Sequence, residues 1–318
     1  MKAQTPYLSP SDLKTILHSK RANVYYLEHC RILLNGGRVE YITDQGKESL
    51  YWNIPIANTS CLLLGSGTSI TQAAMRELSK AGVMVGFCSG GGTPLFNATE
   101  ADIACDFFSP QSEYRPTEYL QHWCRFWFDD EKRLHRAKQL QLMRLQHIAQ
   151  IWVKLDWSCD TQALQLLCTQ YRDVFQAACD SQHLLAAEGR LTAALYALAC
   201  RATSMPTFSR STRGNSTDPA NQMLDQGNYL AYGLGATACW VLGLPHGLAI
   251  LHGKTRRGGL VFDAADLIKD ALILPQAFIS AANGDAARDF RQQCITHFAR
   301  FEALDIMIEC LKKIALQE

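Results

Sequence analysis

Three acids and one imidazole, distant in sequence, are the residues of this chain best suited to chemistry. The segment LHGKTRRGGLVFDAADLIKD, 251–270, carries His252, then Lys254, Arg256 and Arg257, then Asp263 and Asp266 three apart. A second segment, HLLAAEGRLTAALYALAC, 183–200, sets Glu188 and Arg190 near the start of an apolar helix. A carboxylate among Ala, Leu and Gly is partly desolvated unless it has a partner. One Glu, one His and one or two Asp make a site for Mg2+ or Mn2+. Carboxylates suit both ions, and an imidazole tilts the choice towards Mn2+. Catalytic zinc more often shows two or three His at close spacing. A hard cation beside Lys254, Arg256 and Arg257 is equipment for phosphodiester chemistry, in which the metal polarises a phosphoryl oxygen and the cations hold the polyanion.

Each of these residues also has a plainer reading. Asp263 could cap a helix, with Asp266 at its third position, which alone would explain both carboxylates. His252 could be a loop histidine bonded to backbone, and Glu188 an exposed acid at a positive helix end. His246, after Pro245, is read as structural because nothing near it supplies a ligand set. GSGTSI, 65–70, stands where a dinucleotide fingerprint would, but its sixth residue is Ile70 and no acid ends the next strand. It reads as a tight strand-to-helix turn. In FWFDDEKRLHRAKQLQLMRLQH, 126–147, Lys132, Arg133, Arg136, Lys138 and Arg144 read as a solvated face opposite a core face, with DNA contact the alternative.

The elements that must position these residues change character near residue 100. Before it, NVYYLEHCRILL and RVEYITD are β-branched and aromatic, separated by NGG at 35–37 as by a hairpin turn. DQGK, 44–47, predicts a second turn before ESLYWNI. SCLLLG and VMVGFC are short strands, and TSITQAAMRELSKAG between them is an amphipathic helix, capped by Thr68 or Ser69 and ended by Gly82. After it, helical periodicity dominates over 117–154, 161–179, 181–204, 219–242, 263–282 and 285–316. Asp218-Pro219 is a helix start, an N-cap followed by Pro at the first position. The fold class is therefore α+β: a β-rich N-terminal domain, 1–106, a Pro-containing linker, 107–116, and a larger all-α domain, 117–318, which holds the candidate chemistry.

The chain has 318 residues, 47% hydrophobic and 19% charged, enough for a sizeable core. No run of about eighteen apolar residues predicts a membrane span. The start lacks the apolar stretch of a secretory signal, so a cytoplasmic protein is expected. None of the twelve cysteines lies within two to four residues of another. A structural zinc knuckle is disfavoured, and disulfides are not expected in that compartment. Net charge is only +1, yet from Gly189 to Phe262 Arg190, Arg201, Arg210, Arg213, Lys254, Arg256 and Arg257 face two acids, Asp218 and Asp225. That local excess of seven minus two, five positive charges, could attract a polyanion or be a scattered solvated surface.

The chain resembles the CRISPR-associated spacer integrases over nearly its whole length. The carriers are LLLGSGTSITQAAMRELSKAGVMV, AAEGRLTAALYALA, DPANQMLDQGNYLAYG and LPHGLAILHGKTRRGGLVFDAADLIKD. The last is the most specific, and the wording looks closest to the subtype I-F branch. The resemblance implies one divalent-metal site, with the family's metal-binding Glu, His and Asp falling on Glu188, His252 and Asp266 and a neighbouring Asp on Asp263. It implies a metal-dependent endonuclease and integrase, in which a 3′-hydroxyl of foreign DNA attacks a phosphodiester at the CRISPR repeat boundary. It also implies a homodimer joined to a second, smaller integrase subunit, which in the I-F branch is fused to a helicase–nuclease. Assignment of Arg190, Lys254, Arg256 and Arg257 to double-stranded DNA rests on charge and sequence proximity alone. The rival reading is a non-catalytic DNA-binding scaffold whose acids are caps.

Overall fold

The computed structural model describes residues 21, 23–45, 48–89, 93–94, 116–211, 218–253 and 258–317. The chain divides into two compact units, Met1–Tyr114 and Arg115–Glu318. Of the expected linker, only residue 116 lies among the described residues.

The first unit is a pair of small sheets. β1 (Asn23–Leu27), β5 (Thr59–Leu64), β7 (Met84–Ser89) and β8 (Thr93–Pro94) form one, parallel except for its last pair. The other runs in the order β4 (Glu48–Asn53), β3 (Arg38–Gln45), β2 (Arg31–Asn35), β6 (Ser69–Ile70). Every residue of β5 is buried, as a strand between two parallel neighbours requires. The NGG turn joins β2 to β3, with Gly36 and Gly37 both at positive φ, +54° and +82°, the conformation that a two-residue hairpin turn needs. NVYYLEHCRILL is not one strand. His29, at φ 48°, breaks it, so that β1 and β2 belong to different sheets. The turn at residues 46–47 lies outside the described residues.

Helix α1 (Gln72–Lys80) is capped by Thr71, whose hydroxyl accepts from the Ala74 N–H at 3.3 Å. Thr68 and Ser69 do not cap it. Ser69 is spent in β6, and the Thr68 hydroxyl donates to the Gly65 carbonyl at 2.7 Å. The GSGTSI turn is closed by protein groups. His29 N–H donates to Ser66 at 2.9 Å, and a Cβ on Gly67 would stand 2.4 Å from the His29 ring. The core beneath comprises Leu27, Ile32, Val39, Ile54, Leu62, Leu64, Leu78, Val83 and Val85.

The second unit is helical, so the α+β class holds. Its helices are α2 (Glu118–Trp127), α3 (Asp130–Trp152), α4 (Thr161–Ala177), α5 (Ser181–Thr203), α6 (Pro219–Val241), α7 (Gly259–Ile268), α8 (Leu274–Asn283), α9 (Ala287–Arg300) and α10 (Ala303–Leu316). Two expected long helices are divided. Asp129 ends the run at 117–154 by capping α3, accepting from the Glu131 and Lys132 N–H groups at 3.1 Å each. Glu302, at φ 51°, splits 285–316. Asp218 caps α6 with Pro219 at its start, as expected. Among the described residues no helix is long and apolar enough to cross a membrane.

Between α7 and α8 the backbone widens into a π turn, Lys269–Ile273, with the Leu274 N–H bonded to the Lys269 carbonyl. Pro275 supplies the reason. It has no N–H for the Ala271 carbonyl, and its ring crowds that carbonyl, so the helix absorbs one wide turn instead of continuing.

Candidate active site

The site is assembled from three helices and one pinned loop of the second unit. The loop before His252 is fixed by two indoles: Trp123 and Trp127 donate to the Leu248 and Ala249 carbonyls at 3.0 and 2.7 Å. Leu260 N–H donates to the His246 carbonyl at 2.9 Å, tying the start of α7 to the same loop. Gly235 lets α6 approach α7, because a Cβ there would stand 2.8 Å from the Val261 carbonyl oxygen.

Helix α7 is buried along its whole length and begins at Gly259, after Gly258 at φ 69°. Asp263 and Asp266 therefore lie inside the helix, and neither caps it. Asp263, with no exposed surface, instead accepts the N–H groups of Ile250, Leu251 and His252 at 2.6, 3.2 and 3.2 Å, and pairs with His252 Nδ1 at 2.7 Å. A carboxylate so placed makes Nδ1 the donor and turns the Nε2 lone pair to the other side of the ring. On that side stands Asp266, whose Oδ2 is 3.5 Å from Nε2 and is buried without a hydrogen-bond partner. Its other oxygen, Oδ1, holds the Lys269 ammonium at 2.5 Å.

Glu188 reaches the same region from α5. That helix is capped by Asp180 and buries Leu184, Ala187, Leu191, Leu195 and Leu198, which places Glu188 at the margin of its apolar face, 17% exposed. Its Oε1 accepts from Arg144 at 3.0 Å. Arg144 occupies a core position of α3, in the buried series Ala137, Leu140, Arg144, Ile148, Ile151, and its side chain is 1% exposed. The guanidinium is satisfied by Asp270, Gln141, Glu188 and Thr192. Lys269, Asp270 and Glu188 line one cavity of about 330 Å³ together with Tyr196, Arg210 and Asn228.

The electrostatics follow from this burial. Desolvation alone would discharge Arg144 and Lys269, but Asp270 and Glu188 around the first and Asp266 beside the second outweigh it and raise both. Burial also works against a charged Asp266, yet Lys269, then His252 and Arg144, hold its carboxyl down at about 2. Burial lowers His252, but Asp266 and the bond to Asp263 more than compensate, and its net shift is upward. Two cations, Arg144 and Lys269, face four carboxylates, Glu188, Asp263, Asp266 and Asp270. With His252 neutral the cluster carries a formal charge of two minus four, −2.

His252, Asp263 and Asp266 are thus in direct contact, whereas Glu188 is bonded to Arg144 and lines a cavity with Lys269 and Asp270 that His252, Asp263 and Asp266 do not line. The ligand atoms of Glu188, His252 and Asp266 are not all within 4.8 Å of one another, and Glu188 bonds Arg144 instead. Arg190 is exposed and about 200° around α5 from Glu188, so nearness in sequence does not bring it to the cavity. Lys254, Arg256 and Arg257 lie outside the described residues. The long-helix cations are largely withdrawn from solvent: Arg133, Arg136 and Arg144 are buried, bonded to Asp130, Gln317 and Asp270 respectively. Arg210, counted in the local positive excess, is paired with Asp225. Sequence reasoning missed Arg144 as a site residue, together with Lys269 and Asp270. Lys269 had a signal, since it lies three residues beyond Asp266 on the same helical face.

Fold and site define an α+β protein whose helical unit buries a carboxylate–imidazole cluster of net negative charge. Residues 26–294 match the family model described as CRISPR associated protein Cas1, and the chain belongs to that family. It is 60% identical over 314 residues, 97% of each chain, to the CRISPR-associated endonuclease Cas1 of Pseudomonas aeruginosa. Among solved structures it is similar to the TtCas1–DNA complex, with a TM-score of 0.66 and 24% identity over 92% of this chain and 91% of that one. It is likewise similar to a casposase bound to integration product, with a TM-score of 0.68 and 13% identity over 92% and 90% of the two chains.

Proposed function

We propose that the chain is a divalent-metal-dependent DNA endonuclease and integrase that inserts foreign DNA fragments into a CRISPR array by phosphodiester transesterification. The observation that carries this reading is the buried Asp266 carboxylate with its unpartnered Oδ2 opposite His252 Nε2. The donor set fits a hard cation, since it offers carboxylate oxygens and one imidazole nitrogen in a cluster of charge −2 that one divalent ion would cancel. Glu188, His252 and Asp266 would hold Mg2+ or Mn2+. The bound ion supplies Lewis-acid polarisation of the scissile phosphoryl group and favours attack by a hydroxyl.

The remaining chemistry belongs to the chain. Asp263 keeps the His252 Nδ1 proton on the far side of the ring, so that Nε2 stays available as a ligand. Lys269, with His252 and Arg144, holds the Asp266 carboxyl below the ordinary carboxylate range, and Arg144 bonds both Glu188 and Asp270. Lys254, Arg256 and Arg257, which follow His252 in the sequence, would neutralise DNA phosphates, with Arg190 contributing from α5. Attack by a DNA 3′-hydroxyl gives strand transfer, and attack by water at the same phosphodiester gives cleavage. The Cas1 relative named as an endonuclease, the DNA complex and the integration-product complex support this pairing of activities. We assign the chain to the subtype I-F branch, acting in the cytoplasm as a homodimer on double-stranded DNA with a second integrase subunit fused to a helicase–nuclease.

The test is strand transfer in Mg2+ or Mn2+ with His252→Ala and Asp266→Ala. Loss of transfer in folded variants is expected. Retained activity removes these residues from the mechanism. Salt-sensitive DNA binding without any divalent cation bound at the cluster would make the chain a scaffold instead.

A further inference from the structure

We propose a second cation site of different chemistry, formed by Cys179, Asp180 and His183 where α5 begins, and suited to Zn2+ rather than Mg2+ or Mn2+. The local sequence is CDSQH, 179–183. Asp180 is the N-cap of α5, and one oxygen, Oδ1, accepts the His183 N–H at 2.8 Å. Capping accounts for Oδ1 only. The second oxygen, Oδ2, lies 3.0 Å from His183 Nδ1 and 3.9 Å from Cys179 Sγ, and Sγ lies 2.8 Å from Nδ1. One sulfur, one nitrogen and one oxygen thus converge from three side chains. Among the described residues this is the one Cys, His, Asp or Glu set whose ligand atoms all lie within 4.8 Å of one another.

The dimensions suit zinc. Zinc–sulfur, –nitrogen and –oxygen bonds of about 2.3, 2.05 and 2.0 Å at tetrahedral angles put the ligand atoms about 3.3–3.6 Å apart. The observed separations of 2.8, 3.0 and 3.9 Å straddle those values. Rotation of side chains can close the difference, because His183 and Asp180 are 64% and 53% exposed and Cys179 is exposed. The N-cap bond fixes Asp180 against His183, and Cys179 is the residue directly before the cap. Thiolate and imidazole favour a borderline-soft ion, whereas Mg2+ seeks oxygen ligands. The two clusters would therefore sort cations, hard ions to Asp266 and its neighbours, zinc to Cys179. Binding exchanges the thiol proton for the metal: Cys–SH and Zn2+ give Cys–S–Zn+ and a released H+. Three protein ligands leave the fourth position to water.

The test uses the full chain with Co2+ as the spectroscopic probe, in excess Mg2+. One equivalent of Co2+ should develop a sulfur-to-cobalt charge-transfer band in the near ultraviolet, and Zn2+ should bleach it. Cys179→Ser should abolish the band, and His183→Ala should weaken binding at least tenfold. His252→Ala should leave it unchanged, which separates this site from the one proposed for catalysis. All three ligands are exposed, so the Cys179 and His183 variants should keep the parent circular dichroism spectrum. A parent protein with no band, a band that survives Cys179→Ser, or a His183→Ala variant that binds like the parent would overturn the site.

Discussion

Arg144→Met is the most informative single perturbation of the cluster. The guanidinium is 1% exposed and Asp270, its partner, 3% exposed, so removing the cation strands a carboxylate that is almost wholly withdrawn from solvent. Breaking a buried pair from one side costs about 3–5 kcal/mol. A domain of the size of the helical unit loses about 2–4 °C of Tm per kcal/mol, so the variant should melt about 6–20 °C below the parent. The companion Arg144→Met, Asp270→Leu removes both charges and leaves Glu188, 17% exposed, to be solvated. It should recover more than half of the loss, because an ion pair replaced whole by apolar groups is often neutral. Thermal and urea unfolding of parent, single and double variants, followed by circular dichroism, measure the cycle. A single variant within about 1 kcal/mol of the parent would refute the reasoning, as would a double variant no more stable than the single.

Other consequences are as specific. Lys269→Met removes a positive charge held 2.5 Å from Asp266 and should tighten Mn2+ binding at least tenfold by calorimetric titration; unchanged affinity would mean that Lys269 does not compete for that carboxylate. Asp266 is held at about 2 against 3.8 for an ordinary Asp, so its stabilisation is complete above pH 3.8 and lost as pH falls towards 2. Asp266→Asn should therefore flatten the acid limb of the stability curve by about 1 kcal/mol between pH 5 and pH 3 in urea unfolding, and an unaltered limb would contradict the depressed value. Gly235→Ala would push a methyl against the Val261 carbonyl and should cost about 1–3 kcal/mol, visible as a lowered urea midpoint.

Local signals carried most of the fold. The NGG hairpin and the Asp218-Pro219 helix start are local chemistry, and both stand where the residues put them. The division of NVYYLEHCRILL between two sheets was not legible, because parallel pairing of β1 with β5 is a long-range event and the break rests on His29 at positive φ. The π turn has its cause in Pro275, six residues beyond Lys269, where a sequence pattern of period 3.6 still reads as continuous helix. At the site, the cluster of His252, Asp263 and Asp266 was legible from spacing. Arg144 was not, because cations on a long helix are read as a solvated face. Yet it falls in the stripe Ala137, Leu140, Ile148, Ile151, and a cation at a core position requires a buried carboxylate somewhere else in the chain.

A crystal structure of the chain soaked with Mn2+, read by anomalous scattering, tests the metal reading most directly. The expected result is one strong peak ligated by Asp266 Oδ2 and His252 Nε2, with Glu188 turned from Arg144 to complete the set. A chain that cleaves DNA in the same Mn2+ buffer, yet shows no peak between those two atoms, would contradict it.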